Sequence, residues 1–536
     1  MTIFSNKNQK QQKQDRLAAG LAFGIPLGLA GSVYFLNAAA GLSWRYGGED
    51  GGDLALATLL LGVPHPTGYP LYLLTGRLFL FLAPEVNPVR VLNLASACWG
   101  TLATGLIGLT VFKLARTSLR EEKSNSPEQV RKAAVIGGVL AGLSLAFAPL
   151  AWSQALIVEV YSFNLLLMGL LLLTMLDWWE AQNEGKLALV ALVAGLALSH
   201  HHTALFSLAG VLLFGLLVVR ERIQLARNRS TRFGVIGKMV LLFLTATVIP
   251  YLYLPMRGGV TPVSNWGDAT LSNPLGLWEQ FSGSEYHYLL FAAPLSQSLG
   301  RISAGARLLV EQFGLVGLGL GWTGLVAAWL MPRVRPFFWL VFVMSSFHLG
   351  FTAIYAAENS QVYLIPLFAL WAMLLGWGTA WIITRPWISL ALKWAVIVLA
   401  LLLIPALNLL THYSRLDLSH DHSAEEWAKW QLQIAPPHAL LISYTDQTTF
   451  ALWYVVNERS LKGQSGFQPD YVVIDARLLG KEWYRRNLIR CYSGLKLELE
   501  GVATPSDQIA SLATANPERP LVIVTLPSDY AERSLP

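Results

Sequence analysis

The chain has 536 residues, 54% of them hydrophobic and 13% charged, with a mean hydropathy of +0.46. Soluble globular proteins carry about a quarter charged residues, so this composition excludes one and indicates a polytopic membrane protein. The net charge of +6 divides unevenly: from residue 411 onward there are 12 basic and 15 acidic side chains, leaving +9 for the rest. That excess belongs on cytoplasmic loops and not in a nucleic-acid site.

In chain order, apolar windows of about 20 residues, enough to cross roughly 30 Å of hydrocarbon, recur through the first 410 positions and then stop. They predict about eleven spans, at roughly 17–39, 91–115, 133–151, 161–179, 185–199, 203–221, 237–255, 306–331, 336–355, 361–384 and 388–410. The first run exceeds the roughly 7 to 15 apolar residues of a cleavable signal, so it reads as a retained anchor, with LNAAAG as its flank. The two short windows meeting at His200 to Thr203 also fit one kinked element or a re-entrant hairpin.

Basic residues assign the sides. Lys7, Lys10, Lys13 and Arg16 precede the first span, and Lys113, Arg116, Arg120, Lys123, Arg131 and Lys132 join the second and third. Arg220, Arg222, Arg227, Arg229, Arg232 and Lys238 follow the sixth, and Arg333, Arg335 and Arg385 complete that side. The opposite side carries Arg45, Arg77, Arg90, Arg257, Arg301 and Arg307. The positive-inside rule then predicts a cytoplasmic N-terminus and an exoplasmic tail. Cys98 and Cys491 fall in different compartments, so no disulfide joins them.

Two exoplasmic segments, 40–90 and 256–305, mix apolar and polar faces in PLYLLTGRLFLFL and PLGLWEQFSGSEYHYLLF, over lengths too short to span. They read as membrane-hugging helices roofing a cavity. The tail, 411–536, alternates HALLIS, FALWYVVNE, YVVIDA, EWYRRNLIR and PLVIVTLP, which predicts strand, helix, strand, helix, strand: a small soluble α/β domain. It has neither GxGxxG nor GxxxxGK[ST], so nucleotide binding has no support.

The stretch GGEDGGDLALATLLLGVPHPTGYPLY, Gly47 to Tyr72, sets Glu49, Asp50 and Asp53 just after the first span. Three readings compete. Asp50 before two glycines suits a turn, and Asp53 suits an N-cap for LALATLLL. Closely spaced carboxylates also suit a divalent cation, although an EF-hand's spacing is missing. The third reading is acid–base chemistry at a membrane-flanked cavity. Downstream, Pro64, Pro66, Gly68 and Pro70 stop the helix and fix a rigid turn carrying His65 and Tyr69.

These residues carry a resemblance. The acidic-Gly-Gly-acidic pattern, the helical turn, HPTGYPLY and GRLF resemble the DUF2723 family of membrane proteins, which is similar to protein O-mannosyltransferases of the GT-C glycosyltransferase superfamily. RVLNLASA, VEVYSFN, YLYLPMRGGVTPVSNWGD, VYLIP, DQTTFALWY and QPDYVVIDARLL agree in order, nearly end to end. Asp53 stands where Glu is usual, Gly51 where Ser is frequent and Thr67 where Pro is common; the first acid, Asp50, is kept.

The resemblance implies a GT-C-like fold of about eleven transmembrane helices with a C-terminal exoplasmic α/β domain. It also implies transfer of a sugar, with mannose the first candidate, from a polyprenyl-phosphate donor to a protein, lipid or glycan acceptor. Asp50 is then the general base, with Asp53 capping a helix or lining the site and Glu49 the weakest candidate of the three. Arg257 is the first choice to grip the phosphate, followed by Arg77 and Arg45, against the reading that each meets lipid headgroups. Glu159, costly beside hydrocarbon, is expected to face the cavity.

His65, Tyr69, His201, His202, Trp266, Glu285 and Tyr286 complete the expected substrate-binding set. Adjacent His200, His201 and His202 point in different directions on a helix, so a three-histidine metal centre is not expected. No cofactor is expected, and a divalent cation remains the open alternative. The membrane is the cell membrane in a bacterium and the endoplasmic reticulum in a eukaryote. Two other function classes fit less well: a multi-span transporter, and a non-catalytic sugar-lipid-binding or assembly protein.

Overall fold

A computed structural model describes residues 2–120, 125–222, 229–259, 265–461, 471–492, 494–498 and 504–526. The chain opens with α1 (Thr2–Asn37), then α2 (Gly51–Leu60), α3 (Pro70–Leu82), α4 (Pro88–Leu119), α5 (Pro127–Ala146), α6 (Pro149–Gln154) and α7 (Tyr161–Ala181). It continues through α8 (Glu184–His200), α9 (Ala204–Arg222), α10 (Arg229–Tyr251), α11 (Tyr253–Arg257), α12 (Pro274–Ser282), α13 (Leu295–Leu330), α14 (Arg335–Ile354) and α15 (Ile365–Thr384). The last long apolar run, Leu390–Leu416, is α16 (Leu390–Leu401) and α17 (Leu407–Leu416) joined through a π-turn at Pro405.

Among the described residues nine helices are long and apolar enough to cross a membrane, fewer than the eleven predicted, and the protein is an integral membrane protein. The difference lies at His200 to Thr203, where the chain breaks between α8 and α9. The 17 residues of α8 reach only about 25 Å. The apolar part of α9, Ala204–Val219, is shorter still. The windows placed that break, and the counts differ only because the apolar part of each of these two helices is short. The basic run Arg222 to Arg232 that supported the expected topology has side chains outside the described residues.

The bundle centre is α15, enclosed by α4, α5, α13 and α14. Small residues let the backbones approach. A Cβ on Gly137 would lie 2.4 Å from the Gly376 carbonyl oxygen, and one on Gly108 would lie 2.3 Å from that of Ala22. Lipid offers no hydrophobic drive for helix association, so this close packing supplies the attraction.

The tail begins with α18 (Ser423–Ile434), followed by β1 (Leu440–Ser443), α19 (Asp446–Leu461), β2 (Val472–Asp475), α20 (Glu482–Cys491), α21 (Pro505–Ala515) and β3 (Leu521–Ile523). Its three strands are parallel, in the order β2-β1-β3. The predicted strand–helix alternation appears, with α18 and α21 as additional helices whose weakly patterned sequences gave no clear period. The last apolar helix, α17, continues to Leu416 before the tail begins.

The chain leaving α1 is laced to the start of the tail. Leu418 N donates to Asn37 O at 2.9 Å, Gly41 N to Asp421 O at 3.0 Å and Ala424 N to Leu42 O at 3.1 Å. Arg90 and Asn93 of RVLNLASA hold the same segment, donating to the carbonyls of Ala38, Ala39 and Gly41. The acid-rich stretch and the tail therefore share one face of the bundle.

Candidate active site

The acid stretch turns sharply before its helix. Tyr46 and Gly47 take left-handed φ of 61° and 79°, and the Tyr46 hydroxyl donates to the Arg415 carbonyl at 2.6 Å. The helix begins at Gly51, with Asp50 at the preceding position and making no capping bond. Asp53 is therefore inside the first turn of α2, not its N-cap as one sequence reading had it. Its carboxylate favours the positive end of the helix dipole from there.

A histidine joins the two aspartates. Asp53 Oδ2 accepts from both the backbone N–H and Nδ1 of His65, each at 2.8 Å. His65 Nε2 faces Asp50 Oδ2 at 3.6 Å. The Asp53 side chain is fully buried, whereas that of Asp50 is 39% exposed. Burial holds the Asp53 carboxyl above its ordinary value against the pull of His65. Burial raises Asp50 to about 6, His65 opposing and Asp446 and Asp53 adding. Burial works against a charged His65, yet Asp50, Asp53 and Asp446 together carry its imidazole up to about 9. The unit is an imidazole between two carboxyl groups, one sealed and one open.

Glu159, fully buried between α6 and α7, joins this electrostatic neighbourhood. Desolvation, reinforced by Asp50, holds its carboxyl well above the ordinary carboxylate range. Tyr69 begins α3 at φ 40° and meets the His65 ring edge-on, centroids 5.4 Å apart. His201 lies 6.1 Å from the Tyr69 ring and binds Thr203 through Nδ1. Its neighbours diverge as expected: His200 Nε2 meets the Val160 carbonyl at 3.0 Å, and His202 packs on Phe281. Tyr286 is close enough for Asp50, Asp446 and Asp53 to oppose its ionisation.

Other expected residues are placed differently. Arg257 donates through Nε and Nη2 to the carbonyls of Leu61 and Leu60, and Arg77 donates to that of Leu59. Tyr253 takes the Gly62 carbonyl. Both guanidiniums thus close the C-terminal end of α2, the end opposite the one that Asp50 precedes. Arg45 lies over the Tyr46 ring. Trp266 is buried, its ring among His65, Phe450 and Trp483, so it offers no open face for stacking a sugar. Glu285 pairs with Lys481 of the tail at 2.9 Å.

Sequence reading missed the tail's share of the site. Gln447 Nε2 donates to Glu49 Oε1 at 2.6 Å, and Phe450 lies parallel to His65 at 6.2 Å. Asp446, held by Arg477 at 2.6 Å, acts on the charges of Glu49, Asp50, Asp53 and His65. The only available signal was DQTTFALWY, which recurs in the resemblance without stating what it touches. Asn265 was missed too. Its side chain accepts from Val63 N at 2.7 Å and donates to the Arg257 and Gly258 carbonyls, tying the proline turn to α11.

Residues 50–225 match the family model described as the protein O-mannosyl-transferase TMEM260 N-terminal domain. Over 488 residues the chain is 25% identical to the mouse protein O-mannosyl-transferase TMEM260, covering 86% of this chain and 63% of that one. Over 317 residues it is 26% identical to protein O-mannosyl-transferase tmem260 of Dictyostelium discoideum, covering 55% and 35% respectively. The chain thus spans less than two thirds of the length of either relative. ArnT from Cupriavidus metallidurans in the apo state superposes with a TM-score of 0.51 at 15% identity, over 85% of this chain and 89% of that one. That likeness shows that the chain shares the fold of ArnT, and the named relatives agree with the O-mannosyltransferase-like part of the resemblance.

Proposed function

We propose that the chain, a protein of the DUF2723 kind, is a GT-C glycosyltransferase. It moves a sugar, mannose by analogy with the named relatives, from a polyprenyl-phosphate donor to a protein hydroxyl at the exoplasmic face. The observation that carries the reading is the Asp50–His65–Asp53 unit: a solvent-accessible carboxylate held by an imidazole whose other nitrogen is anchored on a buried acid. The logic is that of a base oriented by a second group and steadied by a third.

In the proposed step the acceptor hydroxyl gives its proton to Asp50 as its oxygen bonds to the sugar's anomeric carbon. The bond from that carbon to the phosphate oxygen breaks, and the phosphate leaves with the electron pair. The sugar passes through an oxocarbenium-like state, and attack opposite the leaving group inverts the anomeric centre. A carboxyl raised to about 6 is a stronger base than an ordinary aspartate yet still ionised at neutral pH. Glu159 is the group to hold a sugar or acceptor hydroxyl beside it, with Tyr69, His201 and Tyr286 on the surrounding walls.

The test is Asp50→Asn, assayed as purified protein for transfer from a lipid-linked donor. A loss of about 10²- to 10⁴-fold is expected, and unimpaired turnover would sink Asp50 as the base. The step uses no metal, so chelation is expected to leave the rate unchanged; loss rescued by a divalent ion would overturn that. Movement of labelled solute into proteoliposomes without donor consumption would instead favour a transporter.

A further inference from the structure

The tail does more than rest on the membrane part. Four contacts join the first turn and a half of α19 to the acid stretch. Gln447 gives its side-chain N–H to Glu49 at 2.6 Å, and its carbonyl accepts from Trp44 Nε1 at 3.1 Å, so one residue grips the stretch on both sides of its turn. A Cβ on Gly52 would lie 2.3 Å from the Phe450 carbonyl oxygen, so α2 and α19 touch backbone to backbone. The Phe450 ring, 1% exposed, covers one face of the His65 imidazole at 6.2 Å and 13°.

His65 is thereby fixed on every side that matters to its hydrogen bonds. Tyr69 and Trp266 meet it edge-on at 5.4 and 6.3 Å, Asp53 takes Nδ1, and Phe450 sets the plane in which Nε2 faces Asp50. Three of these come from the membrane part and one from the tail. A tail that was merely tethered would make contacts like Lys481 with Glu285, exposed and exchangeable; α19 instead reaches a buried ring and the neighbour of the proposed base.

We propose that α19 is a positioning element of the catalytic centre, in which Gln447 and Phe450 hold Glu49 and His65 and, through them, orient Asp50. Its functional meaning rests on the transferase reading above. Glu49 is faced by Asp50 from its own turn, by Gln447 and Asp446 from α19, and by Glu358 from the segment before α15. Asp50 is faced by His65 and Asp53, by Asp446, and by Glu159 from the α6–α7 connection. Burial and Asp50 raise Glu49 to about 7 while Gln447 opposes the rise, so a change at Gln447 acts on a group poised to titrate.

The test places a charge there. Gln447→Glu sets a second carboxylate against Glu49, and like charge disfavours ionisation. Carbodiimide reacts with protonated carboxyls, so its labelling of Asp50 in the full-length protein, read by mass spectrometry across pH, reports the result without any turnover. The labelling midpoint is expected to rise by about one pH unit, and the acidic limb of kcat to move with it while KM for the donor stays within about twofold. The reciprocal pair, Gln447→Glu with Glu49→Gln, reverses the hydrogen bond and restores both. Gln447→Asn, which retracts the amide without adding charge, gives a smaller rise and decides the matter if the Glu variant does not fold. An Asp50 midpoint unmoved in a folded variant, with α19 still protected from hydrogen exchange, overturns the proposal. Should the wild type transfer no sugar, the transferase reading falls, and the midpoints still decide whether α19 governs Asp50.

Discussion

Asp50 and Asp53 stand three residues apart and have opposite fates, because the helix that starts between them turns one toward solvent and the other into the protein. Asp53 is the structural partner: it holds two N–H groups of His65 and is sealed from water. Asp53→Ala leaves a buried imidazolium without its anchor and is expected to destabilise the protein by about 3–5 kcal/mol, read as thermal unfolding in detergent. Asp50 sets the acidic limb of activity. Its proton is lost near pH 6, so the base form empties and turnover falls as pH drops through about 6; His65, raised to about 9, loses its charge as pH rises through that value. The kcat profile should be bell-shaped with limbs near those values, belonging to the coupled unit rather than to either residue. A rate flat from pH 5 to 7 would exclude Asp50 as the titrating base. Asp50 was singled out by the family resemblance, while the glycines and prolines around Asp50 and His65 showed only that their local backbone turns sharply. The place of Arg257 was not legible, since its partners Leu60 and Leu61 lie far away in the chain and carry no polar side chain to announce the contact.

At the scale of elements, α2 is the hub. Its first turn carries Asp53 with Asp50 just before it, the carbonyls from Leu59 to Gly62 at its other end are taken by Arg77, Arg257 and Tyr253, and its glycine face receives α19. A helix clamped at both ends gives Asp50 a fixed origin. Arg257→Gln removes charge-assisted bonds worth about 1.5–3 kcal/mol; it should lower the unfolding temperature while leaving KM for the donor unchanged, whereas a raised KM with unchanged stability would return Arg257 to phosphate binding. Gly52→Val forces α2 from α19, so faster hydrogen exchange in residues 446–458 and loss of transfer are expected together. The long spans were readable because twenty apolar residues leave few other folds; the break at His200 to Thr203 was readable too, from the two windows that meet there, but not how the two short helices pack around it. The tail's strand–helix order was readable from its periodicity, but no pattern in DQTTFALWY tells that its first turn lies against an acid almost four hundred residues earlier.

For the whole molecule, two faces can be told apart by chemistry alone. On one, Arg333 lies over Trp179 at 5.7 Å, Arg335 over Trp329 at 5.3 Å and Arg385 over Trp381 at 4.7 Å, and Lys113, Arg116 and Lys238 pair with Asp177, Asp15 and Glu184. Arginine and tryptophan together mark a membrane–water interface, and by the positive-inside rule the face with the cationic excess is the one expected in the cytoplasm. On the other face, Arg90 and Arg301 bond backbone carbonyls, and the acids Glu49, Asp50, Asp446 and Glu358 gather beneath the tail. A lipid-linked donor presented outside would meet only that second face. The expectation is tested by single cysteines in a chain whose Cys98 and Cys491 are replaced by Ser. In intact cells or right-side-out vesicles, Glu358→Cys should react with a membrane-impermeant maleimide, and Lys132→Cys only after permeabilisation. The opposite pattern would invert the topology and move the proposed reaction to the cytoplasmic side, where the positive-inside charge distribution would then have no account.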